Sequence, residues 1–312
     1  MEGLISFSFI MPAYKAKYLY AAIESILKQS YRHFELIIVN DASPENLKDI
    51  IKCFSDRRII YKENKRNIGG KDLVENWNHC LQFAQNDYII LATDDDTFEP
   101  DFLFESVKLI QKYPTSNLLR SNVKKIGEQG QVLDIEFPLK EFMTSREFTL
   151  CWAKGHTISC VSNYIFKRTA LMKIGGFIHF PHAHFSDDAT ALALSENGIA
   201  NIQKICMNFR VSDINLSNQG HYKIAIQQIK ATDDFMSWYF AHVEKLDTIK
   251  EDFFGEACYG GCKSRCIYLL EKLVDKIPLY KFYITVKAIC ACKNLFKKEK
   301  LKLIIFYFIN KL

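Results

Sequence analysis

At 312 residues the chain can hold one large α/β domain with an appendage, or two modest domains. Its 48% hydrophobic and 25% charged residues exclude a disordered chain, and no run approaches the ~20 apolar residues of a transmembrane helix. The net charge of +5 is unevenly placed: residues 281–312 carry eight lysines and one glutamate, leaving the rest at −2. That asymmetry argues against nucleic acid as a partner and for a basic tail with a partner of its own.

Ser6–Met11 is a short apolar run stopped by Pro12 and is predicted to be a buried strand. Lys17–Lys28 carries an apolar stripe at helical spacing. Phe34–Val39 is a second strand, closed by the turn and helix-start signal Asn40-Asp41-Ala42-Ser43-Pro44. A helix over Asn46–Phe54, a strand at Ile59–Tyr61 and a helix over Asp72–Ala84 follow. Tyr88–Ala92 is a fourth strand that runs directly into Thr93-Asp94-Asp95-Asp96, before a helix over Pro100–Lys112. Strands and helices alternating in this way predict βαβ units and a mostly parallel sheet. Ligands bind such sheets beyond the carboxyl ends of the strands, where Asp41 and Asp94–Asp96 both fall.

Between 115 and 215 the pattern is mixed, with a hairpin turn at Gly127–Gly130, a strand at Val161–Phe166 and a helix over Ala189–Glu196. Beyond about 220 the chain reads as helical, broken at Pro278. The division expected is therefore 1–220 for an α/β domain and 221–312 for a helical extension. The first residues show no basic n-region or cleavage site, so no signal peptide is expected. A cytosolic address with reduced cysteines is the default. Cys258, Cys262 and Cys266 lie at i, i+4, i+8, which places them along one helical face as a buried stripe of small residues.

Three consecutive carboxylates repel one another. A divalent cation with hard-oxygen preferences, Mn²⁺ or Mg²⁺, would relieve the repulsion and take phosphate oxygens as further ligands. The alternative is a solvated loop that caps the following helix. Phe9–Tyr14 (FIMPAY), Ser25–Tyr31, Phe34–Ser43 (FELIIVNDAS) and Tyr88–Asp96 (YIILATDDD), in this order, resemble family 2 of the glycosyltransferases, whose fold is called GT-A. The resemblance covers residues 5 to about 112 and continues faintly to about 217.

It implies a nucleotide-sugar donor and residue roles at matching positions. Pro12, Ala13 and Tyr14 would cradle the nucleotide base. Asp41 would accept from N3–H of uracil, which points to a UDP-sugar. Asp94 and Asp95 would contact the sugar diphosphate, and Asp96, with Asp95 beside it, would be the principal metal ligand. Gly175-Gly176-Phe177 followed by Ser186-Asp187-Asp188 matches the family's acceptor-side motif and makes Asp188 the general base of an inverting transfer. The plainer alternative is that Ser186–Asp188 only cap a helix.

Departures include Asn40 in place of a first acid, Lys15 in place of an asparagine, and Asp213 where a histidine is common. No arginine-containing diphosphate motif is evident around Asn76-Trp77-Asn78, although Lys65, Arg66 and Lys71 lie nearby. His179, His182 and His184 have no cysteine or further carboxylate at ligand spacing. They are expected to line the acceptor cleft or lie on a loop rather than bind zinc.

A glycan or lipid-linked acceptor is expected. The tail, where Leu303–Ile309 follows a lysine cluster, would either rest on the cytoplasmic membrane face or pack on protein. Other readings are a nucleotidyltransferase, disfavoured because the loop after the first strand has no glycine, and a catalytically degenerate sugar-nucleotide-binding protein. A dinucleotide-dependent dehydrogenase is excluded by the absence of G-x-G-x-x-G after a strand.

Overall fold

Apolar runs with inward residues on both faces become central strands, and the helices between them cover the two faces. The computed structural model describes residues 4–213, 221–248 and 253–311. Its first half runs β1 (Phe7–Ala13), α1 (Leu19–Leu27), β2 (Phe34–Asn40), α2 (Leu47–Lys52), β3 (Ile59–Glu63), α3 (Leu73–Leu81), β4 (Tyr88–Leu91), β5 (Thr97–Phe98) and α4 (Phe102–Lys112). Next come β6 (Leu118–Ile126), β7 (Val132–Ile135), β8 (Phe142–Met143), α5 (Ser145–Ala153), β9 (Tyr164–Lys167), α6 (Arg168–Lys173), α7 (Ser186–Leu194) and β10 (Ile199–Arg210). The helices α8 (Tyr222–Leu246), α9 (Phe254–Asp275), α10 (Phe282–Ala291) and α11 (Lys297–Ile309) close the chain.

One sheet holds the strands in the order β3-β2-β1-β4-β9-β6-β10-β5, with β7 beside β6 and β8 beside β10. The first four strands are parallel, with Phe7 opposite Phe34 and Tyr88, and Leu36 opposite Ile59. Antiparallel pairing enters at β9, which joins β4 to β6, so the sheet as a whole is mixed. Strands β6 and β10 are again parallel, and their register slips twice between Ile202 and Met207.

Alternate strand residues face two cores. Phe9, Met11, Leu36 and Ile38 pack with α1, α2 and α4, while Ile10, Ile37 and Val39 pack on the other side with α3, α5 and α7. That second core continues without a break through Trp152 into Cys258, Cys262, Cys266 and Tyr307. The change near residue 220 is therefore one of element type, not the start of a separate core. Polar ties reinforce the junction: Tyr239 Oη donates to the Thr149 carbonyl at 3.0 Å, and Arg265 Nη1 to the Trp152 carbonyl at 2.6 Å.

The strand predicted at Val161–Phe166 is shorter. Val161–Asn163 forms a single 3₁₀ turn, and β9 starts at Tyr164. Ser162 and Asn163 are buried and bond through their side chains, Ser162 to Asp96 and Asn163 to the nearby Ile158 carbonyl. The helix predicted from Ala189 begins at Ser186 and closes in a short 3₁₀ turn at Ser195–Asn197.

Candidate active site

The carboxyl ends of β1 and β2 meet at one edge of the sheet. Asp41 N donates to the Ala13 carbonyl at 2.9 Å and Ser43 Oγ to the Tyr14 carbonyl at 2.5 Å. Ala42 between them is left-handed, with φ 50°, a strained conformation for a residue with a Cβ. Pro12 and Ala13 lie inside the strand end, and Tyr14 is 40% exposed at its mouth.

Asp41 is only 3% exposed. Its Oδ1 accepts from Asn64 Nδ2 at 2.7 Å and Ile68 N at 2.9 Å, and its Oδ2 from Gly69 N at 2.7 Å. The carboxylate thus holds the loop after β3 against the β2 turn. A Cβ on Gly69 would lie 3.0 Å from Asp41 Oδ2, tighter than an ordinary contact, so a larger residue there would press on the carboxylate. Lys65, Arg66 and Lys71 stand exposed on this loop. Asn40, the departure from the paired acids, donates to Tyr61 Oη at 3.0 Å and accepts from Ser43 N at 2.9 Å, fixing the same turn without charge.

The three acids after β4 do three different things. Asp94 Oδ2 accepts from Tyr14 N and Lys15 N, each at 2.8 Å, and so ties the β1 loop to β4. Burial nonetheless pushes its pKa up to about 6. Asp96 is 1% exposed. Its Oδ2 accepts from Thr93 Oγ1 at 2.7 Å and Ser162 Oγ at 2.9 Å, and its Oδ1 from Arg210 N at 2.9 Å. Burial first, and then the charge of Asp95, raise it to about 7. Asp95 is partly exposed, and its carboxylate has no partner among the described residues.

Arg210, at the end of β10, lies in the stretch Phe209–Ser217 where the resemblance is faint, and nothing in the sequence assigns it a role of its own. Its Nε donates to the Asp95 carbonyl at 2.9 Å, and its Nη1 donates to the Gly127 and Glu128 carbonyls at 3.1 Å. The guanidinium lies 4.4 Å from the centre of the Tyr18 ring. Arg210 thereby joins the acidic turn to the β6–β7 hairpin, whose Glu128 pairs with Lys17 at 2.9 Å. Asp213 N donates to Glu128 Oε1 at 3.2 Å, while residues 214–217, where the faint resemblance ends, lie outside the described residues.

On the acceptor side, Gly175 and Gly176 have φ of 89° and 94°. The Asn78 side chain brackets the next peptide, accepting from Phe177 N at 2.7 Å and donating to Phe177 O at 3.1 Å. Asn76, Trp77 and Asn78 therefore serve structure: Asn76 and Trp77 are buried, and Asn78 holds the glycine turn. His182, Ala183 and Phe185 are all left-handed, a run of strained residues leading into α7.

Asp187 and Asp188 occupy the first turn of α7, where the helix dipole favours negative charge. Asp188 is 7% exposed, and its Oδ1 accepts from Trp152 Nε1 at 2.6 Å. Burial and then the neighbouring Asp188 charge raise Asp187 to about 7. Trp152, the second residue missed by sequence reasoning, is gripped in turn by the Arg265 guanidinium, 4.4 Å from its ring. The buried Cys160 thiol is pushed well up by burial first and then by the charges of Asp96 and Asp187.

The three histidines face different partners. His179 Nε2 bonds the α3 cap Asp72 at 2.5 Å, His182 bonds Gln227, and His184 Nε2 bonds Thr232 Oγ1 at 3.1 Å. Burial lowers His184 to about 4, so it is neutral. Among the described residues, no three His, Cys, Asp or Glu side chains converge as a metal cage. An ion at this edge would draw on Asp95 and on ligand oxygens, and the free carboxylate fits that need.

The glycosyl transferase family 2 model matches residues 8–175, more than half of the chain. The chain belongs to that family. It is a sugar-transferring enzyme on a GT-A fold with a helical C-terminal extension. It is 26% identical over 234 residues to the Escherichia coli enzyme WfgD, a UDP-Glc:α-D-GlcNAc-diphosphoundecaprenol β-1,3-glucosyltransferase, covering 73% of this chain and 86% of that protein. It is 38% identical over 112 residues to the putative glycosyltransferase EpsE of Bacillus subtilis, covering 35% of this chain and 39% of that one. Staphylococcus aureus TarS 1–349 bound to UDP-GlcNAc superposes with a TM-score of 0.59 at 15% identity, over 98% of this chain and 90% of that one. A Pyrobaculum calidifontis mannosyltransferase bound to GDP-Man and Mn²⁺ superposes with a TM-score of 0.55 at 16% identity, over 98% and 86%.

Proposed function

We propose that this family 2 glycosyltransferase transfers a sugar, with inversion, from a UDP-sugar to the hydroxyl of a lipid-linked glycan. The observation that carries the reading is the division of labour among the acids. Asp41, Asp94 and Asp96 are engaged by the fold, while the carboxylate of Asp95 and the second oxygen of Asp188 have no partner among the described residues.

Three of the roughly four lone-pair sites on Asp41 are used, leaving room for one further donor. Uracil offers the single donor N3–H there, whereas guanine presents N1–H and N2–H together. Tyr14 and the β1 loop flank the base, and Asp95 rather than Asp96 ligates Mn²⁺ or Mg²⁺. That ion, when bound, offsets negative charge on the departing diphosphate. Asp96, behind it, sets the turn.

Asp188, held by Trp152, takes the proton of the acceptor hydroxyl. The acceptor oxygen then bonds to the anomeric carbon from the face opposite the diphosphate, and the breaking bond leaves its electron pair on UDP. The acceptor class follows the name of the E. coli relative, and a role in polysaccharide or glycolipid assembly follows with it.

No described helix is long and apolar enough to cross a membrane. The tail instead presents Leu301, Ile305 and Ile309 among lysines while Leu303 and Tyr307 pack inward, a composition suited to the headgroup layer of the cytoplasmic leaflet.

The deciding experiment is a thermal-shift panel of UDP, GDP, CMP and dTDP, each with and without Mn²⁺. UDP stabilising only with the metal is the expected result. GDP winning would remove the base assignment at Asp41, and no response to any nucleotide would remove the donor reading. Flotation with anionic vesicles, comparing the full chain with one ending near Lys293, tests the tail: equal behaviour rules it out as an anchor.

A further inference from the structure

An apolar groove of about 340 Å³ lies between α8 and α10, away from the nucleotide edge. Ile226, Ile284 and Ala288 form much of its lining, and Lys230 and Lys287 stand on opposite walls. Both lysines are exposed, and neither is paired with a described residue. The acid in the lining, Asp233, forms no ion pair with either lysine. It is buried, and its carboxylate accepts from the backbone N–H groups of Lys293 and Asn294 at 2.8 and 2.9 Å.

Gln227, also in the lining, bonds His182, six residues before Asp188 on the loop that leads into α7. The groove thus adjoins the acceptor side. Tyr280 and Tyr283, just before and on α10, are also exposed.

We infer that this groove holds the hydrocarbon chain of the acceptor's lipid, with the lipid phosphate between Lys230 and Lys287. The argument is charge complementarity on an apolar floor: an uncharged chain alone leaves the two cations to water, and a free phosphate leaves the floor wet. A chain in the groove places its headgroup beside the loop that carries the base, so the sugar extends toward Asp188. The inference rests on the lipid-linked acceptor reading, but it names a site and residues that the donor chemistry does not need.

The probe is farnesyl diphosphate, titrated into the full-length protein in EDTA so that metal-dependent binding at the nucleotide edge is silent. Inorganic pyrophosphate supplies the head alone and dodecyl maltoside the chain alone. The expected result is saturable farnesyl diphosphate binding, at least tenfold tighter than either control. The Lys230→Glu/Lys287→Glu double variant should weaken it at least tenfold, as should Ala291→Trp, which fills the groove from an exposed lining position. The UDP and Mn²⁺ thermal shift should be unchanged in both.

Unchanged farnesyl diphosphate binding in both variants overturns the inference. So does a result in which they lose only flotation with phosphatidylglycerol vesicles, because the surface then meets bulk lipid. Farnesyl diphosphate binding with no UDP response would instead sink the donor reading and leave the groove standing.

Discussion

The two halves of the catalytic domain solve the same problem, placing a carboxylate at the sheet edge, by different means. On the nucleotide side each acid follows directly from a strand end, and the parallel register of β1, β2 and β4 brings Asp41 and Asp94–Asp96 together. On the acceptor side Asp188 sits on a helix reached through three left-handed residues and is aimed by Trp152 from α5, itself gripped by Arg265 from α9. A regular βαβ scaffold needs little outside help to hold a site. An irregular one borrows stiffness from elements far away in the chain.

The largest effect that can test this contrast is expected at the base. Asp188→Asn should lower transfer by about 10²–10⁴-fold while leaving the UDP and Mn²⁺ thermal shift intact. Turnover within a fewfold of wild type would reassign the base. Next, Asp95→Ala and Asp96→Ala should separate. Asp95→Ala should abolish metal-stimulated transfer with little change in Tm. Asp96→Ala should also destabilise the fold, because buried donors from Ser162 and Arg210 lose their acceptor, at about 1–3 kcal/mol for each group left unpaired. Equal Tm for the two would mean that the Asp96 network does not hold the turn.

A smaller effect is expected from the borrowed support. Trp152→Phe keeps the ring but removes the N–H, and kcat should fall about tenfold with donor KM unchanged, on the ~1.5–3 kcal/mol scale of a hydrogen bond to a charged group. A matching loss in donor binding would show that Trp152 acts on the fold as a whole.

The smallest effect is a pH dependence. Asp94 and Asp96 titrate at about 6 and about 7 in the metal-free protein, above an unfolded carboxylate. The folded chain therefore holds protons that the unfolded chain has released, and it loses stability as pH rises from about 4 through 7. A divalent cation on Asp95 favours the ionised forms of its two neighbours, so the rise in Tm from Mn²⁺ with UDP should grow between pH 5.5 and 7.5. A rise that is flat across this range would place the ion away from these acids.

Legibility in the sequence followed the same divide. The strands at Phe34–Val39 and Tyr88–Ala92 stood out because residues buried on both faces make continuous apolar runs. In β6 the central Arg120, Ser121 and Asn122 are buried yet polar, so no hydrophobic pattern marks the strand. The helix α5 did carry a readable signal, the Thr144–Glu147 capping box, which would have framed Trp152.

Composition, strand pattern and motif order were enough to establish the α/β class and the family to which the chain belongs, and to point to one edge of the sheet as the candidate site. These depend on periodicity and on residues adjacent in the chain. Which acid stays free, which ones brace the turns, and how the helical extension reaches Trp152 beside Asp188 were decided only by packing. Asp94, Asp95 and Asp96 are chemically alike and neighbours in sequence, and they differ because Tyr14, Ser162 and Arg210 arrive from three separate segments to occupy two of them.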